Sequence, residues 1–268
     1  MLLKPALFFL KVFLYKLFMN YLSPILRNNR TFLLAYDHGL EHGPEDFLLE
    51  KSAEPEFILE LAEKGNFSGV IFQKGIAEKY YRPWQNVVPL IVKLNGKTKW
   101  QAGEPYSPLI CSPEYAKDLG AVAVGYTIYP GSKFEHLMFK EFGQVVEKAH
   151  NLGMAVIAWL YPRGKKIDNE NNPQVVCYAA RIGLELGADM IKIKWPLERK
   201  YFEKAVNLAK PVKVVLAGGE RISEEEFFKR TEEVIASGGC GLAVGRNIWQ
   251  RKNALEIAKK LAKIIYQR

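Results

Sequence analysis

Lys192 and Lys194, two residues apart, interrupt an apolar and β-rich stretch, DMIKIKWP at residues 189–196. Side chains alternate along a strand, so both lysines leave one face while Ile191, Ile193 and Trp195 leave the other. If the isoleucine face packs on helices, the lysines look out from the opposite surface. A lone lysine at a strand end is most simply read as snorkelling to water. A pair in register, with Lys93 on an earlier strand as a candidate third, favours a site. Burial beside another ammonium disfavours the charged form and leaves a nucleophilic amine near neutral pH. Such an amine attacks carbonyls, so the chemistry suggested is Schiff-base formation.

Other short stretches carry groups that could serve that chemistry. YDHGLEHGP supplies Asp37, His38, Glu41 and His42, and WLYPRG supplies Trp159, Tyr161 and Arg163. Tyr161 can give and take a proton, and the planar fork of Arg163 suits phosphate. The pair His38 and His42 is the one candidate for a metal site, but its spacing compels none, and the expectation is no metal and no cofactor. LAGGE and AVGRN bring Gly218, Gly219, Gly245 and Arg246, a pattern suited to backbone amides around a phosphate.

The elements that would position these residues form a repeat. Apolar runs at 31–36, 69–73, 89–94, 121–129, 154–160, 189–194, 212–217 and 241–245 are mostly followed by helical patterns. Glycines at Gly65, Gly153, Gly187 and Gly238 are expected as left-handed helix ends. Eight strands alternating with helices predict an α/β fold, a parallel (β/α)₈ TIM barrel. An open doubly wound sheet fits less well, because no strand leads into GxGxxG. In such a barrel every residue above falls at a strand's C-terminal end, where the site opens. The loops after the seventh and eighth strands are the common phosphate site.

A chain of 268 residues, 49% hydrophobic, suits one barrel of this size, and its +9 net charge suits an anionic partner. No arginine-rich run or RNA-binding aromatic motif points to nucleic acid, so a phosphorylated small substrate is expected. Cys111, Cys177 and Cys240 form no metal-spaced pair and suit a reduced, cytoplasmic interior. Residues 1–28 are predicted as an apolar, basic helical segment preceding a single catalytic barrel at 29–268. Lys4, Lys11 and Lys16 interrupt it too often for a spanning helix. It lacks the cleavage site of a signal peptide. Attachment to a membrane surface is weighed and not favoured. The preferred reading is that it covers the bottom of the barrel or a subunit interface, the latter fitting a homo-oligomer.

YDHGLEHGP, WLYPRG, GADMIKIKW, LAGGE and AVGRNIWQ, in this order and spacing, resemble the archaeal-type class I fructose-bisphosphate aldolases from about residue 30 to the C-terminus. The resemblance implies metal-free, Schiff-base cleavage of fructose 1,6-bisphosphate to dihydroxyacetone phosphate and glyceraldehyde 3-phosphate. It places the Schiff-base lysine on Lys192, the catalytic tyrosine on Tyr161 and the aspartate on Asp37. Phosphate contacts fall on His42 and Arg163 at one end, and on Ala217, Gly218, Gly219, Gly245 and Arg246 at the other. Trp159 and Lys194 join the substrate contacts. Ala217 stands where relatives often carry serine, and the apolar opening segment is unlike the family's. Two alternatives are a related transaldol-type synthase that passes a three-carbon unit to another aldehyde, 2-amino-3,7-dideoxy-D-threo-hept-6-ulosonate synthase, and a non-catalytic membrane-attached phosphosugar-binding protein.

Overall fold

β-branched and aromatic side chains fill the predicted strand runs, and all eight runs form strands. They are β1 (Thr31–Ala35), β2 (Gly69–Gln73), β3 (Leu90–Lys93), β4 (Ala121–Ile128), β5 (Ala155–Leu160), β6 (Met190–Ile193), β7 (Lys213–Ala217) and β8 (Gly241–Val244). The structure, a computed structural model, describes residues 20–267. Each strand pairs in parallel with the next and β8 pairs with β1, so the sheet closes into a (β/α)₈ barrel. Several strands stop one residue short of the expected C-terminal ends. Tyr161, Lys194 and Gly245 sit just past the last residues of their strands and line the mouth, whereas Tyr36 packs in the outer core and donates its hydroxyl to Ser52 O.

Alternation sorts the side chains into two cores. Phe32, Val70, Val92, Val124, Val156 and Ile191 point outward against the helices. Leu33, Ile71, Ile91, Ala123, Ile157, Met190 and Val215 fill the interior. Leu22 and Ile25, flanking and ending the short 3₁₀ turn Ser23–Ile25, join that inner cluster and close the bottom. Burying each contributes roughly 1.5–3 kcal/mol relative to exposure. The helical and membrane-surface readings of the opening segment fall mainly on residues 1–19, outside those described. Among the described residues no helix is long and apolar enough to cross a membrane.

The main helices follow the predicted patterns at Pro55–Lys64, Glu135–Asn151, Pro173–Glu185, Arg199–Ala209, Glu224–Ala236 and Ala254–Tyr266. Three expectations about local structure need correction or addition. Gly65 keeps a right-handed conformation, and Asn66 takes the left-handed position with φ of 63°, whereas Gly153, Gly187 and Gly238 adopt positive φ as expected. The connection from β2 to β3 contains a π-helical turn, Ala77–Tyr81, and that from β3 to β4 a short helix, Pro113–Asp118. His38–His42 form one further helical turn directly after β1.

Candidate active site

The period-two alternation that builds the inner core also delivers the chemistry. Above Ile91 on β3 comes Lys93, above Ile157 on β5 come Trp159 and Tyr161, and above Met190 on β6 come Lys192 and Lys194. All twelve site residues expected from the sequence line one cavity of about 290 Å³ at the C-terminal ends of the strands. Trp159 and Lys192 are paired in register on β5 and β6, and Lys192 Nζ lies 5.2 Å from the indole centroid. The indole reaches over Gly125 on β4. A Cβ on Gly125 would come within 1.5 Å of it, so only glycine leaves the room.

Lys192 is 5% exposed, and among the described residues no carboxylate forms an ion pair with it; the nearby Asp37 pairs with Lys93 instead. Burial, reinforced by the Lys93 ammonium and opposed by Asp37 and Glu41, holds its pKa down at about 8. A fraction of the amine is therefore neutral and nucleophilic at neutral pH. Lys93 behaves in the opposite way. Burial would discharge it, but Glu41, to which it bonds, and Asp37, 3.3 Å away, outweigh that and raise its pKa. Burial would likewise raise Asp37, but Lys93 and Lys192 overcome this and hold its carboxyl well below the usual range. Tyr161 is raised well above an ordinary phenol by burial and by Asp37 and Glu41, so it stands protonated and ready to donate. Burial pushes His38 down to about 3, which leaves it a neutral imidazole at physiological pH.

The loops after β7 and β8 are held together by Asn247, which is fully buried. Its side-chain amide donates to Gly218 O and Glu220 O at 2.8 Å, and its oxygen accepts from Ile222 N. Arg246 donates to Gly219 O at 3.2 Å. A Cβ on Gly245 would meet Ala35 O and the His38 ring at 2.5 Å, so this backbone packs directly against the β1 loop.

Asp46 binds His42 Nδ1 at 2.8 Å and faces Arg246 at 3.6 Å, which links His42 through Asp46 to the β8 side of the mouth. Arg163 stands with Lys194, both paired to Glu170. The side chain of Ala217 offers no hydroxyl to this rim. Among the described residues no group of three or more His, Cys, Asp or Glu is arranged to hold a metal, and His38 and His42 meet edge to face.

The sequence singles out neither Asp46, Glu170 nor Asn247, and names Lys93 only as a candidate third lysine and Glu41 only among the residues of the mouth. Lys93 shares the inward face of β3 with Ile91, and Glu41 lies one helical turn from Asp37 in DHGLEH.

A closed parallel barrel with a poised buried amine, a tyrosine and two cationic rims defines the (β/α)₈ aldolases. The chain belongs to the DeoC/LacD family aldolases, whose family model matches residues 31–251. It is 51% identical over 249 residues to the fructose-bisphosphate aldolase class 1 of Thermoproteus tenax, covering 92% of this chain and 94% of that protein. It is 36% identical over 262 residues to a protein of Methanocaldococcus jannaschii named fructose-bisphosphate aldolase/6-deoxy-5-ketofructose 1-phosphate synthase, covering 92% of this chain and 84% of that one. A solved archaeal fructose-1,6-bisphosphate aldolase, with its catalytic Lys covalently bound to the carbinolamine intermediate, matches with a TM-score of 0.89 and 50% identity. That match covers 92% of this chain and 98% of the other.

Proposed function

We propose that this chain is a class I fructose-1,6-bisphosphate aldolase that cleaves its substrate reversibly to dihydroxyacetone phosphate and glyceraldehyde 3-phosphate. The observation that carries the reading is Lys192, a buried amine held near pH 8 in one cavity with Asp37 and Tyr161. Neutral Lys192 adds to the ketose carbonyl at carbon two. Tyr161 gives its proton to the departing hydroxide, which leaves as water, and an iminium forms. Breaking the bond between carbons three and four sends its electron pair into the iminium and makes an enamine. The hydroxyl on carbon four loses its proton as the aldehyde forms. Asp37, held ionised beside Lys93, lies in the same cavity and orients that hydroxyl. The Tyr161 phenolate left by the first step takes the proton and returns it to carbon three. Hydrolysis of the new iminium releases dihydroxyacetone phosphate.

Two cationic rims, Arg246 with the β7 and β8 loops and Arg163 with Lys194, give this substrate a grip for each phosphate. They contribute through orientation. Two grips suit a substrate with two phosphates, and the buried nucleophile Lys192 beside Tyr161 and Asp37 speaks against the binding-only alternative. We further read the enzyme as a cytoplasmic homo-oligomer, the first supported by three buried thiols outside any disulfide, the second by the apolar opening segment. The test is a cleavage assay on fructose 1,6-bisphosphate with both trioses quantified, run with and without a strong chelator. Equal yields of both trioses, unaffected by the chelator, are expected. Activity that vanishes with chelator and returns with zinc would refute the Schiff-base route.

A further inference from the structure

The cations assigned to the second phosphate are both paired to one carboxylate. Arg163 Nε donates to one oxygen of Glu170 at 2.9 Å, and Lys194 Nζ bonds the other oxygen of the same carboxylate. Glu170 is not part of the barrel. It sits on the 161–172 connection between β5 and the helix Pro173–Glu185, and lines the cavity. A carboxylate bridging an arginine and a lysine through two oxygens copies the way a phosphate would use the same pair. Both cations also rest on aromatic faces. Arg163 lies 5.4 Å from the Tyr129 ring centroid and 5.9 Å from that of Tyr161, and Lys194 lies 5.9 Å from Tyr161. Those rings keep the cations in place when the carboxylate leaves.

We propose that Glu170 is a specificity-determining residue that stands in for the distal phosphate, holding Arg163 and Lys194 until a phosphorylated tail displaces it and competing for them again as product departs. The proposal rests on the bisphosphate reading above. Charge accounting shows why displacement follows. Arg163 and Lys194 carry +2 and Glu170 carries −1, leaving +1 at the rim. A phosphate monoester brings about −1.5 to −2. With Glu170 in place the cluster becomes net negative, and with Glu170 withdrawn it is close to neutral. A ketose whose tail ends in a hydroxyl leaves the carboxylate where it is. Glu170 therefore opposes the phosphorylated tail selectively, and the other rim, where Arg246 has only a 3.6 Å contact with Asp46, carries no comparable competitor.

The experiment compares the wild-type enzyme with Glu170→Gln, which keeps the shape and removes the charge. Cleavage kinetics are measured on fructose 1,6-bisphosphate and fructose 1-phosphate, and inorganic phosphate binding is measured by calorimetry on the same proteins. The ratio of kcat/KM for bisphosphate over monophosphate is expected to rise roughly three- to thirty-fold in the variant, the range for losing two half-exposed ion pairs. Inorganic phosphate should bind more tightly by a similar factor. An unchanged or lower ratio, or an equal loss on both substrates, would overturn the proposal and make Glu170 a structural brace. If the wild type cleaved neither ketose, the bisphosphate reading would fail. Phosphate binding would still decide Glu170, with equal affinity in the two proteins counting against it.

Discussion

Replacing Lys93 with Met separates the electrostatics of the site from its covalent chemistry. Lys93 is 2% exposed, bonds Glu41 and lies 3.3 Å from Asp37, and its charge helps to keep Lys192 neutral. Met matches the unbranched four-atom stem of lysine and lacks the ammonium. Asp37 and Glu41 then attract a proton onto Lys192 without opposition, and its pKa climbs from about 8 toward its ordinary value of 10.5. At pH 7 a pKa of 8 leaves about one amine in ten neutral, and each unit of rise removes about another tenfold. A full return to 10.5 would leave about one in 3,000, so kcat/KM at pH 7 should fall between ~10-fold and ~300-fold. Burial, the largest cause of the depression, survives the substitution and makes the lower figure the better expectation. Breaking a buried pair also costs roughly 3–5 kcal/mol of stability, which a thermal melt will register. The assay is the profile of kcat/KM between about pH 6 and pH 10, where the variant should recover as pH rises and its limb should sit above that of the wild type. A loss that is uniform across pH, or a limb that does not move, would refute this account of Lys192.

Tyr161→Phe removes one hydroxyl and leaves both phosphate rims intact, so turnover should fall about 10²–10⁴-fold with little change in KM; normal turnover would remove Tyr161 from the mechanism. Gly125→Ala forces a methyl group into the Trp159 ring and should cost roughly 1–3 kcal/mol in a thermal melt while shifting the tryptophan fluorescence; a wild-type melt would mean the indole does not lie on β4. Lys192→Met should stabilise the inactive protein. Lys192 titrates at about 8 in the fold and near 10.5 when unfolded, so between those values the unfolded chain binds the extra proton and wild-type stability rises with pH. The variant should be more stable by ~3 kcal/mol at pH 7, with the gap closing by about pH 10.5, and a gap of constant size in denaturant titrations would contradict the assignment.

The barrel was legible because each strand is a short β-branched run with its inward residue set by alternation, and that alternation also placed Trp159, Tyr161, Lys192 and Lys194 in one mouth. The glycines beside Arg246 were legible because the β7 and β8 loops recur as a phosphate site in such barrels. What escaped the sequence were partners chosen by loop paths. Glu170 lies in DNENN, a polar stretch with no periodicity, and nothing local says that it will meet Arg163 and Lys194. Asp46 bridges toward Arg246 across 200 residues of chain, so the link it makes from His42 to the β8 side carries no local sequence signal. Gly65 lost the left-handed position to Asn66 by one residue, since asparagine tolerates that conformation nearly as readily.

Borohydride reduction in the presence of dihydroxyacetone phosphate, followed by peptide mass mapping, tests the central claim most directly. The buried, half-discharged amine of β6 should be trapped as one secondary amine per chain, on Lys192, with the yield rising as pH approaches about 8. An adduct on Lys93 or Lys194, or no adduct from an actively cleaving enzyme, would contradict it.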